Sequence, residues 1–251
     1  MQFEQFSQGD SFLHRLHPGV KCAGALALTM VLALSTHLIT ALSGLLIGIL
    51  LVLLAGLPMG LVVRRVLVVN GFILFLWLTL PLTYPGTPLL SYGMFSISRE
   101  GVMLSGLITI KANAILLLLI ALPATSSIAE LGRGLEFLRV PAKLRILLLF
   151  SYRYIFVINQ EYQRLLRAAK LRGFTARTSM HTYRTFAYLF GMTLVKSHHR
   201  ATRVYEAMVL RGFTGRFHSL HASAPRPVDM VWLAALAAAA AGLTVMEIYN
   251  G

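Results

Sequence analysis

Charged side chains are scarce in this sequence of 251 residues. They make up 13% of the chain, whereas an ordinary soluble domain carries about 25%. Hydrophobic residues make up 57%. A chain with so few charges cannot cover its own surface with polar side chains. The composition therefore disfavours an ordinary soluble domain and predicts an integral membrane protein.

Cysteine and acidic residues are also few. Cys22 is the single cysteine, which excludes an intramolecular disulfide and a cysteine-based metal site. The acidic residues are scattered, and the sequence has no P-loop, no Gly-x-Ser-x-Gly motif and no His-Glu-x-x-His motif. We therefore expect no enzyme and no ATPase site in this chain.

Two histidine pairs are the remaining candidates for a metal site. His198 and His199 are adjacent on a predicted helix, so their side chains point in different directions. His218 and His221 have His-x-x-His spacing in a polar loop, but no carboxylate or cysteine supports them. The sequence therefore assigns no metal site to this chain.

Basic charge is plentiful, but it is confined to one region. Residues 126–226 hold 17 of the 23 Lys and Arg residues and 4 of the 9 acidic ones, which leaves +13 of the net +14 in that region. A nucleic-acid-binding protein would spread its basic residues over a soluble fold. Localised basic charge beside apolar segments instead indicates the cytoplasmic side of a membrane protein.

Long uncharged runs predict the membrane spans. No Asp, Glu, Lys or Arg lies between residues 22 and 63, and a bilayer needs about 20 residues per helix. The polar cluster at residues 35–37 divides this run, and Pro58 with Gly60 is expected to end the second helix. The predicted spans are approximately residues 20–35, 38–57, 66–82, 101–123 and 228–248.

The predicted fold is an all-α integral membrane protein with about five transmembrane helices and long amphipathic cytoplasmic helices. We divide it into residues 1–123, the basic region 124–226 and a final span at 227–251. Basic residues just before the first span place the N-terminus inside, and the basic residues of region 124–226 place that region inside as well. Five spans then put the C-terminus outside. In the basic region, Ser127 and Glu130 have capping-box spacing at the start of a short helix, and two long amphipathic helices follow.

Three of the polar residues in the predicted spans stand out. Asn70, Lys111 and Asn113 are the strong candidates for a polar path through the membrane. A lysine at the depth of Lys111 should face a protein interior, a wet cavity or a partner. The alternative is a shifted helix from which Lys111 reaches the interface.

A seven-residue phrase occurs twice in the basic region. Residues 171–177 read LRGFTAR and residues 210–216 read LRGFTGR, and each copy follows a long amphipathic helix. Gly173 and Gly212 stand where a left-handed helix cap is expected, and capping alone would explain Arg-Gly. It would not explain the repeated Phe and Thr or the second Arg. We therefore predict two docking points, each with an exposed phenylalanine and an arginine that contacts a partner's carboxylate. The candidate residues are Leu171, Arg172, Gly173, Phe174, Leu210, Arg211, Gly212 and Phe213.

With these motifs, the chain resembles the transmembrane T component of an energy-coupling factor (ECF) transporter, specifically the cobalt/nickel type. Members of that family carry two short Ala-Arg-Gly-type motifs near the ends of two long cytoplasmic coupling helices. Both copies here have Leu in place of the Ala. Residues 16–21 (LHPGVK) resemble the family's Leu-Asp-Pro-Arg-Val-Lys at the start of the first span, with His17 replacing the Asp and Gly19 the Arg.

The resemblance implies a coupling subunit of an importer for a transition-metal ion, cobalt first and nickel next, in the cell (inner) membrane. Two cytosolic ATPase subunits would bind the two coupling helices, with Arg172 and Arg211 reaching acidic groups in the ATPases. ATP and Mg²⁺ would be bound by those subunits and the metal ion by a separate membrane subunit, so this chain itself would hold no cofactor. A stand-alone carrier or channel, and a T component of a vitamin-type system, are the alternatives.

Overall fold

The computed structural model describes residues 9, 11–92, 95–215 and 226–250. Within these residues the chain is helical apart from connecting segments and one short hairpin. The elements are α1 (Phe12–Arg15), α2 (Pro18–Leu34), α3 (Leu38–Leu54), α4 (Met59–Thr83), β1 (Pro88–Tyr92), β2 (Phe95–Ser98), α5 (Arg99–Ala121), α6 (Ile128–Phe137), α7 (Ala142–Leu171), α8 (Met180–Leu210) and α9 (Pro227–Asn250).

These elements form two compact units. Met1–Arg139 together with Ser223–Gly251 make the first, and Val140–Ala222 make the second. α6 belongs to the first unit, where it packs on α2 so closely that a Cβ on Gly134 would lie 2.8 Å from the backbone of Pro18. The compact units therefore divide the chain after Arg139, whereas the charge pattern divides it after residue 123.

The helices of the first unit confirm the predicted all-α membrane class. In the part of the chain that the structure describes, three helical segments are long and apolar enough to cross a bilayer: Met59–Thr83, Arg99–Thr125 and Pro227–Tyr249. α2 and α3 are apolar helices of 17 residues each, at the lower end of the spanning range of about 17–25 residues. The core lies where α2, α3, α5 and α9 meet, around Leu28, Leu118 and Leu236.

Glycine allows the close packing of α3 in this unit. A Cβ on Gly48 would lie 3.1 Å from the Cβ of Leu117 and 3.3 Å from the carbonyl oxygen of Ala114, both on α5. A Cβ on Gly44 would overlap the side chain of Leu32 on α2. Membrane helices gain stability from such small-residue contacts, because lipid offers no hydrophobic driving force between them.

Some predicted boundaries were wrong. α3 ends at Leu54, where Gly56 adopts a left-handed conformation (φ +60°), and not at residue 57. Pro58 is instead the N-cap residue of α4. α4 begins at Met59, so it includes the arginines at 64–65 that were expected to precede the third span. The reason is that a proline and a nearby glycine are compatible with a helix start as well as with a helix end.

The connection between α4 and α5 contains a β-hairpin where a plain loop was expected. β1 and β2 pair in antiparallel register from Pro88 opposite Ser98 to Tyr92 opposite Phe95. Glu100, at the start of α5, accepts hydrogen bonds from the backbone N–H and the hydroxyl of Thr87, at 2.8 and 3.0 Å. These bonds fasten the hairpin to the end of a membrane helix.

Candidate functional site

The second unit consists of α7, α8 and the turns that follow them. Both helices are amphipathic, and α7 buries none of its residues completely. They run antiparallel and contact each other near their middles, where the rings of Tyr162 and Phe190 stack with centroids 5.2 Å apart. The repeated phrase begins at the last residue of each helix.

The Leu-Arg-Gly-Phe part of the two copies has the same backbone conformation. Gly173 has φ +86° and Gly212 has φ +80°. In the first copy, the N–H of Gly173 donates to the carbonyl of Lys170 (3.0 Å) and the N–H of Phe174 to that of Ala169 (3.1 Å). These are the paired bonds of a Schellman motif, and they confirm the predicted left-handed caps.

The second copy repeats this pattern residue for residue. The N–H of Gly212 donates to the carbonyl of Val209 (2.9 Å), and the N–H of Phe213 donates to that of Met208 (3.0 Å). Four identical residues, Leu-Arg-Gly-Phe, therefore build two equivalent turns. We call residues 171–174 the first turn and residues 210–213 the second turn.

The apolar side chain that each turn exposes is the leucine. Leu171 is 90% exposed and Leu210 is 88% exposed, and the neighbouring arginines are exposed as well. The expectation of exposed phenylalanines was wrong, because both are half-buried. Phe174 packs edge-on against Phe186 of α8, with ring centroids 5.6 Å apart. Phe174 thus anchors the first turn on α8, and leucine and arginine are the side chains that both turns expose.

The two turns lie on opposite sides of the helix crossing. Phe174 contacts α8 near its beginning, whereas the second turn follows its end. At about 1.5 Å per residue, the first turn lies roughly 15 Å beyond Glu161 along α7, and the second roughly 21 Å beyond Lys196 along α8. Between the helices, on the side of the second turn, is an apolar groove of about 680 Å³, lined by residues that include Tyr154, Ile158, Leu194 and Ala201.

One carboxylate links the two helices at the crossing. Glu161 of α7 accepts a hydrogen bond from Lys196 of α8 at 2.6 Å. The guanidinium groups of Arg200 and Arg164 lie 3.6 and 3.8 Å from its other oxygen. The hydrogen bond from Lys196 lowers the pKa of the Glu161 carboxyl, so this group is ionised at neutral pH. We call these four residues the crossing cluster; the sequence pattern did not single it out.

The polar residues of the membrane helices bond to the protein itself. Asn70 of α4 and Asn113 of α5 each donate their amide to the other's oxygen, at 3.0 and 3.1 Å. Lys111 donates to the carbonyls of Ala33 (2.9 Å) and Ser35 (2.6 Å) at the end of α2. Lys111 thus lies at the C-terminus of α2, where a cation is stabilising.

A second polar cluster, at the start of α2, was also missed. Lys21 is 1% exposed and donates to the hydroxyl of Ser126 at 2.9 Å. The N–H of His17 donates to Asp229 of α9 at 2.9 Å, and the Nδ1 atom of His17 accepts from the N–H of Gly19. A carboxylate from α9 thus lies beside the N-terminus of α2, next to His17. Asp229, an acid in the first turn of an apolar helix, is the signal that could have identified it.

Part of the predicted site lies outside the described residues. Arg216, which closes the second copy of the phrase, is there, as are His218 and His221. Among the residues that the structure describes, no group of three or more His, Cys, Asp or Glu side chains is close enough to hold a metal ion.

Within the described residues, five apolar helices and a basic helical hairpin with two equivalent exposed turns define a multi-pass membrane protein. The sequence model of the cobalt transport protein family, CbiQ, matches residues 9–221. The chain belongs to this family, and it is a T component of the ECF transporter type.

Similar proteins carry names of the same kind. The energy-coupling factor transporter transmembrane protein EcfT of Macrococcus caseolyticus (strain JCSC5402) is 24% identical over 216 residues, 82% of each chain. EcfT of Bacillus subtilis (strain 168) is 25% identical over 223 residues, 84% of each chain. Nickel permease LarQ of Lactiplantibacillus plantarum (strain ATCC BAA-793 / NCIMB 8826 / WCFS1) is 32% identical over 93 residues, which cover 37% of this chain and 33% of that protein. These names describe transmembrane components of transporters and not ATPases.

Proposed function

We propose that this chain is the coupling subunit of an ECF-type importer for a transition-metal ion, and that its two turns bind two cytosolic ATPase subunits. The observation that carries the proposal is the identical backbone of the first and second turns. Two equivalent turns suit two equivalent partners, one on each side of the helix crossing. ATP and Mg²⁺ are then bound by the ATPases, and the metal ion by a separate membrane subunit.

Each turn supplies two kinds of contact to its ATPase. The exposed leucine, Leu171 or Leu210, fills an apolar pocket, and the arginine that follows it donates to a carboxylate. The Schellman bonds hold both side chains in place before the partner arrives, which reduces the entropy lost on binding. The half-buried Phe174 keeps the first turn against α8.

The ion is assigned by similarity. Cobalt is preferred because of the family's description, and nickel comes next because of the partial similarity to a nickel permease.

A stand-alone carrier is disfavoured, because Asn70 and Asn113 form hydrogen bonds with each other and Lys111 caps α2. Uptake of radioactive Co²⁺ and Ni²⁺ by cells that express this chain with its ATPases and substrate-binding subunit tests the assignment. Uptake of a vitamin with neither ion would contradict it.

Charge reversal of both turns tests the docking role. We expect the double variant Arg172→Glu, Arg211→Glu to insert normally but to lose its ATPases during purification. A hydrogen bond to a charged group contributes about 1.5–3 kcal/mol, so each turn should lose roughly tenfold or more in affinity. ATPases that co-purify at the wild-type yield would refute the proposal.

The matched control reverses two other exposed arginines of the same helices. Arg167→Glu with Arg203→Glu makes the same change in net charge away from the turns. It should leave co-purification of the ATPases intact. Equal loss in both double variants would mean that overall positive charge, and not the two turns, holds the ATPases.

A further inference from the structure

In the crossing cluster one carboxylate offsets the charge of three cations, and the cluster lies outside the two turns that are proposed to dock. α7 and α8 together contain two acidic residues, Glu161 and Glu206, among many basic ones. The side chain of Glu161 is 13% exposed, and it lies between cations from both helices. Without its carboxylate, Lys196, Arg200 and Arg164 would be brought together with nothing to offset their repulsion.

The cluster also stands at the point where the helices meet. Tyr162, the residue after Glu161, stacks on Phe190 of α8. The first turn packs on the start of α8 through Phe174, whereas the second turn follows the end of α8. A shift of α7 against α8 at the cluster therefore moves the first turn relative to the second.

We propose that Glu161 is a positioning residue for coupling: its bonds to Lys196 and Arg200 hold the crossing of α7 and α8 and so set the separation of the first and second turns. This inference rests on the proposed function for its consequence, but the geometry that it predicts can be measured on the chain alone. Ionic groups on flexible side chains permit the helices to pivot while they remain in contact. The ion pairs of Glu161 make the two helices move together, so that movement at one turn reaches the other.

The test measures the separation of the turns directly. Spin labels are placed on cysteines at Ala168 and Ala207, exposed positions three residues before Leu171 and Leu210, in a Cys22→Ser background. We expect Glu161→Gln to broaden the distance distribution between the labels in the purified chain. In the complete transporter, the same variant should keep its ATPases and hydrolyse ATP but import several-fold less substrate per ATP.

Glu206→Gln is the matched control, since it removes one exposed negative charge from α8 outside the cluster. It should leave both the distance distribution and the import ratio as in the wild type. The swap Glu161→Lys with Lys196→Glu should narrow the distribution again relative to Glu161→Lys alone. This rescue would not be expected if Glu161 affected the distance distribution only through its shape.

Two results would overturn the inference: an unchanged distance distribution and import ratio in Glu161→Gln, or an equal change in Glu206→Gln. Failure of the docking proposal would show itself differently, as ATPases that still bind the Arg172→Glu, Arg211→Glu variant. The distance measurement on the isolated chain would still decide whether Glu161 holds the crossing.

Discussion

At the scale of single residues, each position of the repeated phrase has its own physical task. Glycine closes the helix because it adopts positive φ without strain, and its N–H and that of the next residue satisfy two carbonyls at the helix end. Phenylalanine covers the turn from inside. Leucine and arginine remain exposed, so they are free to contact a partner. The sequence predicted the glycine's task, but it could not tell which apolar residue faces outward.

Replacing the cap glycines tests this division of tasks. A Cβ on Gly173 or Gly212 would meet no other atom within 4 Å, so Gly173→Ala and Gly212→Ala change only backbone strain. A left-handed alanine costs about 1–2 kcal/mol. We expect amide hydrogen exchange at Phe174 or Phe213 to become about 5–30-fold faster, and binding of the ATPases to weaken.

Gly191 provides the control, because it lies within α8 and its Cβ would also meet nothing within 4 Å. Gly191→Ala should stabilise the helix by about 0.5–1 kcal/mol and leave exchange at both turns unchanged. If the cap variants exchange as slowly as the wild type, the left-handed conformation is not what holds the turns.

At the scale of elements, polar side chains decide how the apolar helices pair. α4 and α5 are joined by the reciprocal amides of Asn70 and Asn113, and by a bond of 2.9 Å from the indole N–H of Trp77 to Thr109. α2 ends where Lys111 binds its last carbonyls. Inside a membrane such bonds select one helix pairing among many of similar apolar packing.

A double-mutant cycle measures the coupling energy between the side-chain amides of Asn70 and Asn113. Asn70→Leu or Asn113→Leu alone should destabilise the chain, because each leaves a partner amide without its bond across the helices. The double variant should cost less than the sum of the two, with a coupling energy of about 0.6 kcal/mol and at most roughly 1.7 kcal/mol. Unfolding in mixed micelles with increasing denaturing detergent checks this expectation.

Each asparagine keeps a bond within its own helix, Asn70 to the carbonyl of Val66 and Asn113 to that of Thr109. The single losses should therefore be modest. Strict additivity of the two substitutions would mean that the amides do not interact in the membrane.

At the scale of the whole molecule, the spacing of apolar residues and the distribution of charge predicted the helices and their caps, but not the contacts between distant residues. The five apolar helices, the capping box of Ser127 and Glu130, and both left-handed glycines are where the sequence indicated. The β-hairpin after α4 was not predicted, because short strands carry a weak local signal. The crossing cluster and the Asp229 bond to His17 join residues far apart in sequence. An acid at the start of α9 was visible in the sequence, but the residue that it binds was not.

Membrane orientation is the whole-molecule property that charge predicts most directly. The segments expected outside are the turn between α2 and α3, which has no Lys or Arg, and the hairpin before α5. The segments expected inside include the two arginines at residues 64–65 and the basic region 124–226. The positive-inside rule therefore predicts that the first and second turns lie on the cytoplasmic side.

Labelling of single cysteines tests this orientation. In a Cys22→Ser background, a membrane-impermeant maleimide should label Pro85→Cys in intact spheroplasts. It should label Thr178→Cys, in the connection between α7 and α8, only after lysis. Both positions are exposed, so access depends on the side of the membrane and not on burial. Labelling of Thr178→Cys before lysis, with Pro85→Cys protected, would invert the topology. The two turns would then be out of reach of any cytosolic ATPase, because both lie in the segment that joins α6 to α9.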